Sequence, residues 1–231
     1  MEKKINPEQI DQLYTFTRAH FVEYYDLQTE LVDHLANAIE AIWQLKPDVS
    51  FEDALQMEFK KFGVFGFSTV VEQRQKALGK KYYKLLWGYF KQFFKLPLIV
   101  VTVALILLTY KILEVEPLLY LALMGGLVVT MIVKITGYKK RHDKKVKATG
   151  KKWLLEDIIY KCGGIGALLG LPFQFYNMLA KDHVNTGLLW FLSVFFVLVA
   201  LFSYVVLFVI PAKAEEHLKA IYPEYDLEFS K

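Results

Sequence analysis

The pattern of apolar positions changes near Ala77. Before it, apolar residues recur every three or four positions among charges, and after it they merge into long stretches with few charges. The first pattern predicts amphipathic helices and the second predicts membrane-crossing ones. Asn6-Pro7 with Gln9 supplies an N-cap, a proline at the first helical position and a weak capping box. The helix that follows, about 7–20, presents Ile10, Leu13, Tyr14 and Thr17. A second, about 26–45, aligns Leu27, Leu31, Leu35, Ala38 and Ile42, with Asp26, Glu30, Asp33, Asn37 and Glu40 on its other flank. Ser50, with Asp53 three residues on, caps a third helix carrying Ala54, Leu55, Phe59 and Phe62, and Gly63 stops it. A fourth starts near Ser68 and continues toward Ala77. No alternation of strand length competes, so the predicted fold class is all-α.

Beyond Ala77 four apolar stretches appear, at about 97–113, 117–133, 154–179 and 186–210. A helix needs roughly 17–25 mostly apolar residues to cross the hydrocarbon core. The last stretch carries no charge from Leu188 to Ile210, and Lys111 and Lys134 lie near enough to the ends of the first two to snorkel. The third is the least apolar, with Glu156, Asp157 and Lys161 in its first turns and Gly163, Gly164, Gly166, Gly170 and Pro172 in its middle. The expected organisation is a cytosolic helical domain (1–77), a basic aromatic juxtamembrane helix (78–96), a four-helix transmembrane bundle (97–211) and a cytosolic tail (212–231).

Charge gives this layout a direction. Residues 1–76 carry 8 Lys/Arg against 13 Asp/Glu, and the remainder carries 20 against 11. The excess cation lies beside apolar spans, which favours anionic lipid headgroups over direct contact with nucleic acid. Lysine and arginine crowd the approach to the first span and the 139–152 loop between the second and third, whereas the other two turns carry few. By the positive-inside rule both termini belong in the cytoplasm. A re-entrant third span would instead place the C-terminus outside. The chain opens on a polar run, Met1-Glu2-Lys3-Lys4, so no cleavable signal is expected, and its single cysteine, Cys162, excludes an internal disulfide.

Between 80 and 95, Lys80, Lys84, Lys91 and Lys95 recur on one side, with Tyr82, Tyr83, Leu86, Tyr89, Phe90, Phe93 and Phe94 on the others. This predicts a lipid-facing basic helix at the headgroup boundary or, as the alternative, one helix running directly into the first span. Asp26, Glu30, Asp33 and His34 form a candidate partner-docking face. Glu30 and His34, one turn apart, could also serve as two ligands of a metal or as a pH-sensitive pair. Two ligands are too few for a structural metal site, so a histidine at the domain edge bonded to Glu30 is the preferred reading, with no metal and no cofactor. In the third span, Glu156, Gly163, Gly166, Gly170, Gln174 and Asn177 fall on one helical face. Gly166-x-x-x-Gly170 is a helix-packing spacing, so packing is preferred there over a ligand or ion path. Asp157 and Lys161 read as a neutralising pair, and His142-Asp143, within a lysine run, as solvated.

The runs Tyr24-Tyr25-Asp26-Leu27-Gln28, Glu30-Leu31-Val32-Asp33-His34-Leu35-Ala36, Ser50-Phe51-Glu52-Asp53-Ala54 and Lys61-Phe62-Gly63 carry a resemblance. Glu30–Leu35 with the Ser50 and Lys61 runs resembles the small helical cytosolic domain of bacterial HAAS-type signalling proteins and the permease prefix of some ABC-type exporters, and the Tyr24–Ala36 run is similar to uncharacterised membrane proteins of Bacteroidetes-type bacteria. Gly63-Val64-Phe65-Gly66 departs from the Gly-Asp/Ser-Pro continuation usual in such domains. The resemblance implies a regulatory role, often beside PadR-like transcription regulators, and no catalysis. Enzyme motifs are missing by the same reading. Glu215-Glu216 resembles the glutamate pair of CAAX-type proteases but follows the last span and lacks the arginine and membrane histidines. Gly163-Gly164-x-Gly166 follows no strand and has no P-loop lysine. The expected function is a membrane-anchored signalling or regulatory protein with a cytosolic or membrane protein partner. An accessory or permease-like transporter subunit is the alternative, and self-association into a homo-oligomer is left open.

Overall fold

The computed structural model describes residues 3–161, 175, 185–222 and 225. Among these the chain is helical, with no strand. It divides into two compact units, Met1–Gly79 with Val146–Glu156, and Lys80–Lys145 with Asp157–Lys231.

In the first unit, α1 (Pro7–Ala19) begins with the full capping box. Gln9 N–H donates to Asn6 Oδ1 at 2.8 Å, and Asn6 N–H donates to Gln9 Oε1 at 3.1 Å. It ends in a Schellman turn, with Val22 N–H donating to Thr17 O and Phe21 N–H to Arg18 O, both at 3.1 Å. The left-handed residue of that turn is Phe21 (φ 64°), where glycine is usual. α2 (Tyr25–Leu45) buries Leu27, Leu31, Leu35, Ile39 and Trp43 against α1 and α3. α3 (Phe51–Lys60) is capped by Ser50, whose Oγ accepts from Asp53 N–H at 3.0 Å. Gly63 (φ 75°) turns the chain after it. Aromatic rings of Phe16, His20, Phe59, Phe62 and Phe67 pack edge-on or tilted at 4.1–6.5 Å and form the satellite core under that turn.

The fourth helix does not end near Ala77. α4 (Ser68–Phe90) continues through the predicted juxtamembrane segment, and a 3₁₀ turn at Lys91–Phe94 follows it. Helix formers across 72–86 and the lack of a proline before Pro97 leave nothing to stop it earlier.

The second unit contains α5 (Leu98–Val115) and α6 (Leu119–Thr149). It also contains α8, regular over Thr186–Tyr204, π-helical at Val205–Val209 and closing with Ile210–Ala212, and the short α9 (Ala214–Lys219). Three helices, Leu98–Val115, Leu119–Thr149 and Thr186–Ala212, are long and apolar enough to cross a membrane. Val100, Val101, Val103, Leu107, Leu108, Val129, Ile132 and Val133 remain exposed, as side chains suited to lipid do. The third predicted span lies outside the described residues except at its start, where α7 (Leu154–Tyr160) forms, and at Phe175. The core of this unit is Leu113, Tyr120, Met124, Leu189 and Leu192, flanked by Tyr110, Phe175 and Phe196. Tyr110 stacks on Trp190 at 4.5 Å.

Pro211 explains the π turn in α8. It has no N–H for the carbonyl one turn back, that of Leu207, and its ring crowds that carbonyl. The hydroxyl of Tyr138 on α6 donates to Leu207 O instead, at 2.6 Å. α6 itself runs well past its apolar half, because Lys139–Lys147 are good helix formers and the face Tyr138, His142 and Lys145 is held within the unit. The expected loop there is helix.

Candidate functional site

The N-terminus of α2 grips the segment that leads into α7, within the first unit. Tyr25 N–H donates to Lys152 O at 2.8 Å, one of the helix-start donors that would otherwise lack a partner. Asp26 Oδ1 accepts from Leu154 N–H at 3.1 Å, so the carboxylate of one helix caps the first residue of another. Tyr25 meets Trp153 edge-on at 5.2 Å, and Trp153 is 1% exposed. Lys151 Nζ lies 4.3 Å from the Tyr25 ring centre and Lys152 Nζ 4.7 Å from that of Tyr24. Lys152 also reaches Glu23 at 2.7 Å. Three consecutive residues, Tyr24-Tyr25-Asp26, thus engage three others, Lys152-Trp153-Leu154, through backbone, charge and ring contacts at once.

Among the proposed docking residues, Asp26 is half-buried and committed to this clamp, while Glu30, Asp33 and His34 are exposed on α2. Glu30 pairs with Arg74 at 3.2 Å, an exposed bridge that contributes little. The expected Glu30–His34 bond is not what forms. His34 Nε2 faces Glu58 Oε1 on α3 at 3.5 Å, because Glu58 is 4% exposed and its carboxylate needs compensation from both His34 and Lys61, the latter at 2.5 Å. Among the described residues no cluster of His, Cys, Asp or Glu suits a metal ion.

Lys80, Lys84, Lys91 and Lys95 are all exposed, while Tyr82, Leu86 and Phe90 are buried on the other face at one-turn spacing. Lys91 stacks over Trp87 at 5.4 Å. Of the small-residue face of the third span, only Glu156 falls within the described residues, and it is buried. Gly163, Gly166, Gly170, Gln174 and Asn177 lie outside them.

His142 corrects the expectation of a solvated side chain. It is 3% exposed, its Nε2 is 3.3 Å from Asp157 Oδ1, and its ring stacks on Tyr160 at 5.8 Å. Asp143 is exposed. Asp157 also takes Lys161 at 2.7 Å, as the i,i+4 spacing predicts. The spacing of Tyr138, His142 and Lys145, four then three, is the signal that could have placed His142 on an inward face.

A cleft of about 670 Å³ opens in the first unit beside the clamp, lined by Asp11, Tyr14, Arg18, Tyr25, Gln28 and Lys151 among others. Burial raises the Tyr14 phenol above its usual range, partly offset by its hydrogen bond with Thr29 Oγ1 at 3.3 Å. Reading the sequence alone missed this cleft, since its two walls come from segments far apart in the chain. No protein-family model, curated protein or solved structure matches the chain.

Proposed function

We propose that this is a membrane-anchored signalling or regulatory protein, without catalysis of its own, whose cytosolic helical unit docks a protein partner and is coupled to the membrane region through the clamped segment. The observation that carries the reading is the grip of Tyr24-Tyr25-Asp26 on Lys152-Trp153-Leu154. That segment joins the second apolar helix to the predicted third span, so it offers a point where a partner's docking can bias the spans. The exposed acids Glu30 and Asp33 supply the docking face, and the likeness of their run to the HAAS-type domain supports the same reading. In this proposal the chain sits in the bacterial inner membrane with four passes and both termini in the cytoplasm. Lys80, Lys84, Lys91 and Lys95 meet anionic headgroups, and the Glu156 to Asn177 face packs against a neighbouring helix.

Affinity capture from detergent extracts, comparing wild type with Glu30→Lys/Asp33→Lys, tests the docking. A PadR-like regulator recovered by wild type and lost in the double variant, with membrane insertion unchanged, is the expected outcome. Retained capture rejects the face, and recovery of an ABC ATPase transfers the protein to the accessory-subunit reading. A C-terminal reporter active only in the periplasm overturns the four-pass topology.

A further inference from the structure

Within the second unit, the end of the last apolar helix meets the end of α4, and the contact gathers donors around one ring. Phe93, in the turn after α4, meets Tyr204 of α8 edge-on at 6.2 Å, and Phe90 meets Phe202 at 5.7 Å. Four residues before Phe93, the Tyr89 ring takes two side chains from beyond α8. Lys213 Nζ lies 5.0 Å from its centre, and the His217 ring packs edge-on at 6.1 Å. Lys213 and His217 are one turn apart, with His217 N–H donating to Lys213 O at 3.1 Å, so both side chains leave that turn on one side. The Tyr89 hydroxyl is 3.3 Å from His217 Nε2. With the phenol as donor, the imidazole keeps its proton on Nδ1 and offers it to an anion.

The ring contact leaves the charge of Lys213 uncancelled. Among the described residues no carboxylate, Glu216 included, comes within ion-pair distance of it, and Glu215 is taken by Lys219 at 2.9 Å. Lys213 is also the first residue past the apolar helix Thr186–Ala212. In a membrane that is the depth of the phosphates. On the membrane side of this cation, Tyr204 stacks on Phe208 at 5.5 Å and is still 49% exposed, so apolar surface remains for an acyl chain.

From this arrangement we propose that Tyr89, Lys213 and His217 form a discrete site for one anionic phospholipid. Its phosphate meets Lys213 and His217, and an acyl chain lies against Phe93 and Tyr204. Tyr89 positions the two donors and does not itself hold the lipid. The proposal rests on the reading of the chain as a membrane protein. It goes beyond the diffuse headgroup contact of Lys80, Lys84, Lys91 and Lys95, which stand on one segment, whereas this site joins residues 128 positions apart.

Native mass spectrometry of the full-length protein in detergent, titrated with phosphatidylglycerol, phosphatidylcholine or inorganic phosphate, tests it by resolving lipids bound one at a time. The first phosphatidylglycerol is expected to bind saturably and more tightly than phosphatidylcholine, and inorganic phosphate in large excess should not displace it. Lys213→Gln should weaken that first lipid about fivefold, the worth of one lysine beside an anionic surface, while later lipids bind as before. His217→Gln should weaken it several-fold, Lys213→Arg should retain it, and Lys91→Gln should leave it unchanged. Lys213 is exposed, so K213Q should melt as wild type does. First-lipid affinity unchanged in K213Q, or phosphatidylcholine bound as tightly as phosphatidylglycerol, overturns the site. Displacement by inorganic phosphate overturns the lipid and leaves a site for the free anion. Recovery in membranes after a carbonate wash separates the two levels. A chain that stays in the membrane without these preferences loses the site alone, and a chain that washes off loses the membrane reading with it.

Discussion

Tyr138→Phe is the most informative single perturbation of the membrane region. It removes one oxygen and keeps the ring that packs against Tyr160 at 6.0 Å, so the packing loss is small. What disappears is the 2.6 Å bond to Leu207 O, a carbonyl that Pro211 cannot serve and that belongs to a residue 1% exposed. Leaving a buried acceptor without this donor costs about 1–3 kcal/mol. At roughly 2–4 °C per kcal/mol for a chain of this size, a cost of about 2 kcal/mol lowers the midpoint by roughly 4–8 °C. The assay is thermal unfolding in detergent, followed by circular dichroism, on the four members of a double-mutant cycle with Pro211→Ala. Alanine restores an N–H that can close on Leu207 O and straighten the π turn, so Tyr138→Phe should cost little in the Pro211→Ala background. A coupling of about 1–2 kcal/mol is expected. Additive effects, or a Tyr138→Phe midpoint within 1 °C of wild type, would refute the account of the π turn.

Three further outcomes follow from the first unit. Asp26→Ala should cost about 0.5–2 kcal/mol through the lost cap on α7 and increase tryptic cleavage after Lys151 and Lys152; an unchanged cleavage rate rejects the clamp. Phe21→Gly should stabilise by up to about 1 kcal/mol, the left-handed penalty of roughly 1–2 less the entropic cost of glycine, since Phe21 is 85% exposed and has little burial to lose; a lower midpoint argues against strain at this turn. Because burial raises the Tyr14 pKa, its contribution to stability is complete below the unfolded phenol value and is lost as pH rises through the folded one. Tyr14→Phe should therefore flatten the alkaline limb of stability against pH, and an unaltered limb assigns that loss to other groups.

Local signals in the sequence carried the first unit well. The Asn6–Gln9 box, the Ser50 cap and the Gly63 turn are written in adjacent residues, and each occurs where the spacing puts it. Two of the apolar helices, 98–115 and 186–212, were equally legible, because composition alone defines them. Partners distant in sequence were not. His34 lies one turn from Glu30, yet the buried Glu58 has the greater electrostatic need and draws the imidazole across to α3. His142 looked solvated because its neighbours are lysines; only the inward register of α6, fixed by Tyr138 on Leu207, buries it. The cleft is invisible to periodicity, since Asp11, Tyr14 and Arg18 read as an ordinary polar flank until Gly150 and Lys151 stand opposite.

The clamp has one further consequence, which follows from chain length. Asp26 and Leu154 are 128 positions apart, and closing a free loop of that length costs about 4 kcal/mol. Against this stand one backbone hydrogen bond at about 1 kcal/mol, a cap at about 1 and a ring contact at about 0.5–1.5, together with cation–ring and ion-pair contacts of a few tenths to 1 each. Burial of Trp153, Leu154 and Leu155, none more than 1% exposed, adds about 1.5–3 kcal/mol for each leucine and at least as much for the tryptophan, so the contacts exceed the closure cost and the clamp is closed in the folded first unit. In the proposed coupling, a partner on α2 has to work against that margin: each 1.4 kcal/mol shifts the ratio of closed to open clamp about tenfold, and linkage requires the effect to be reciprocal.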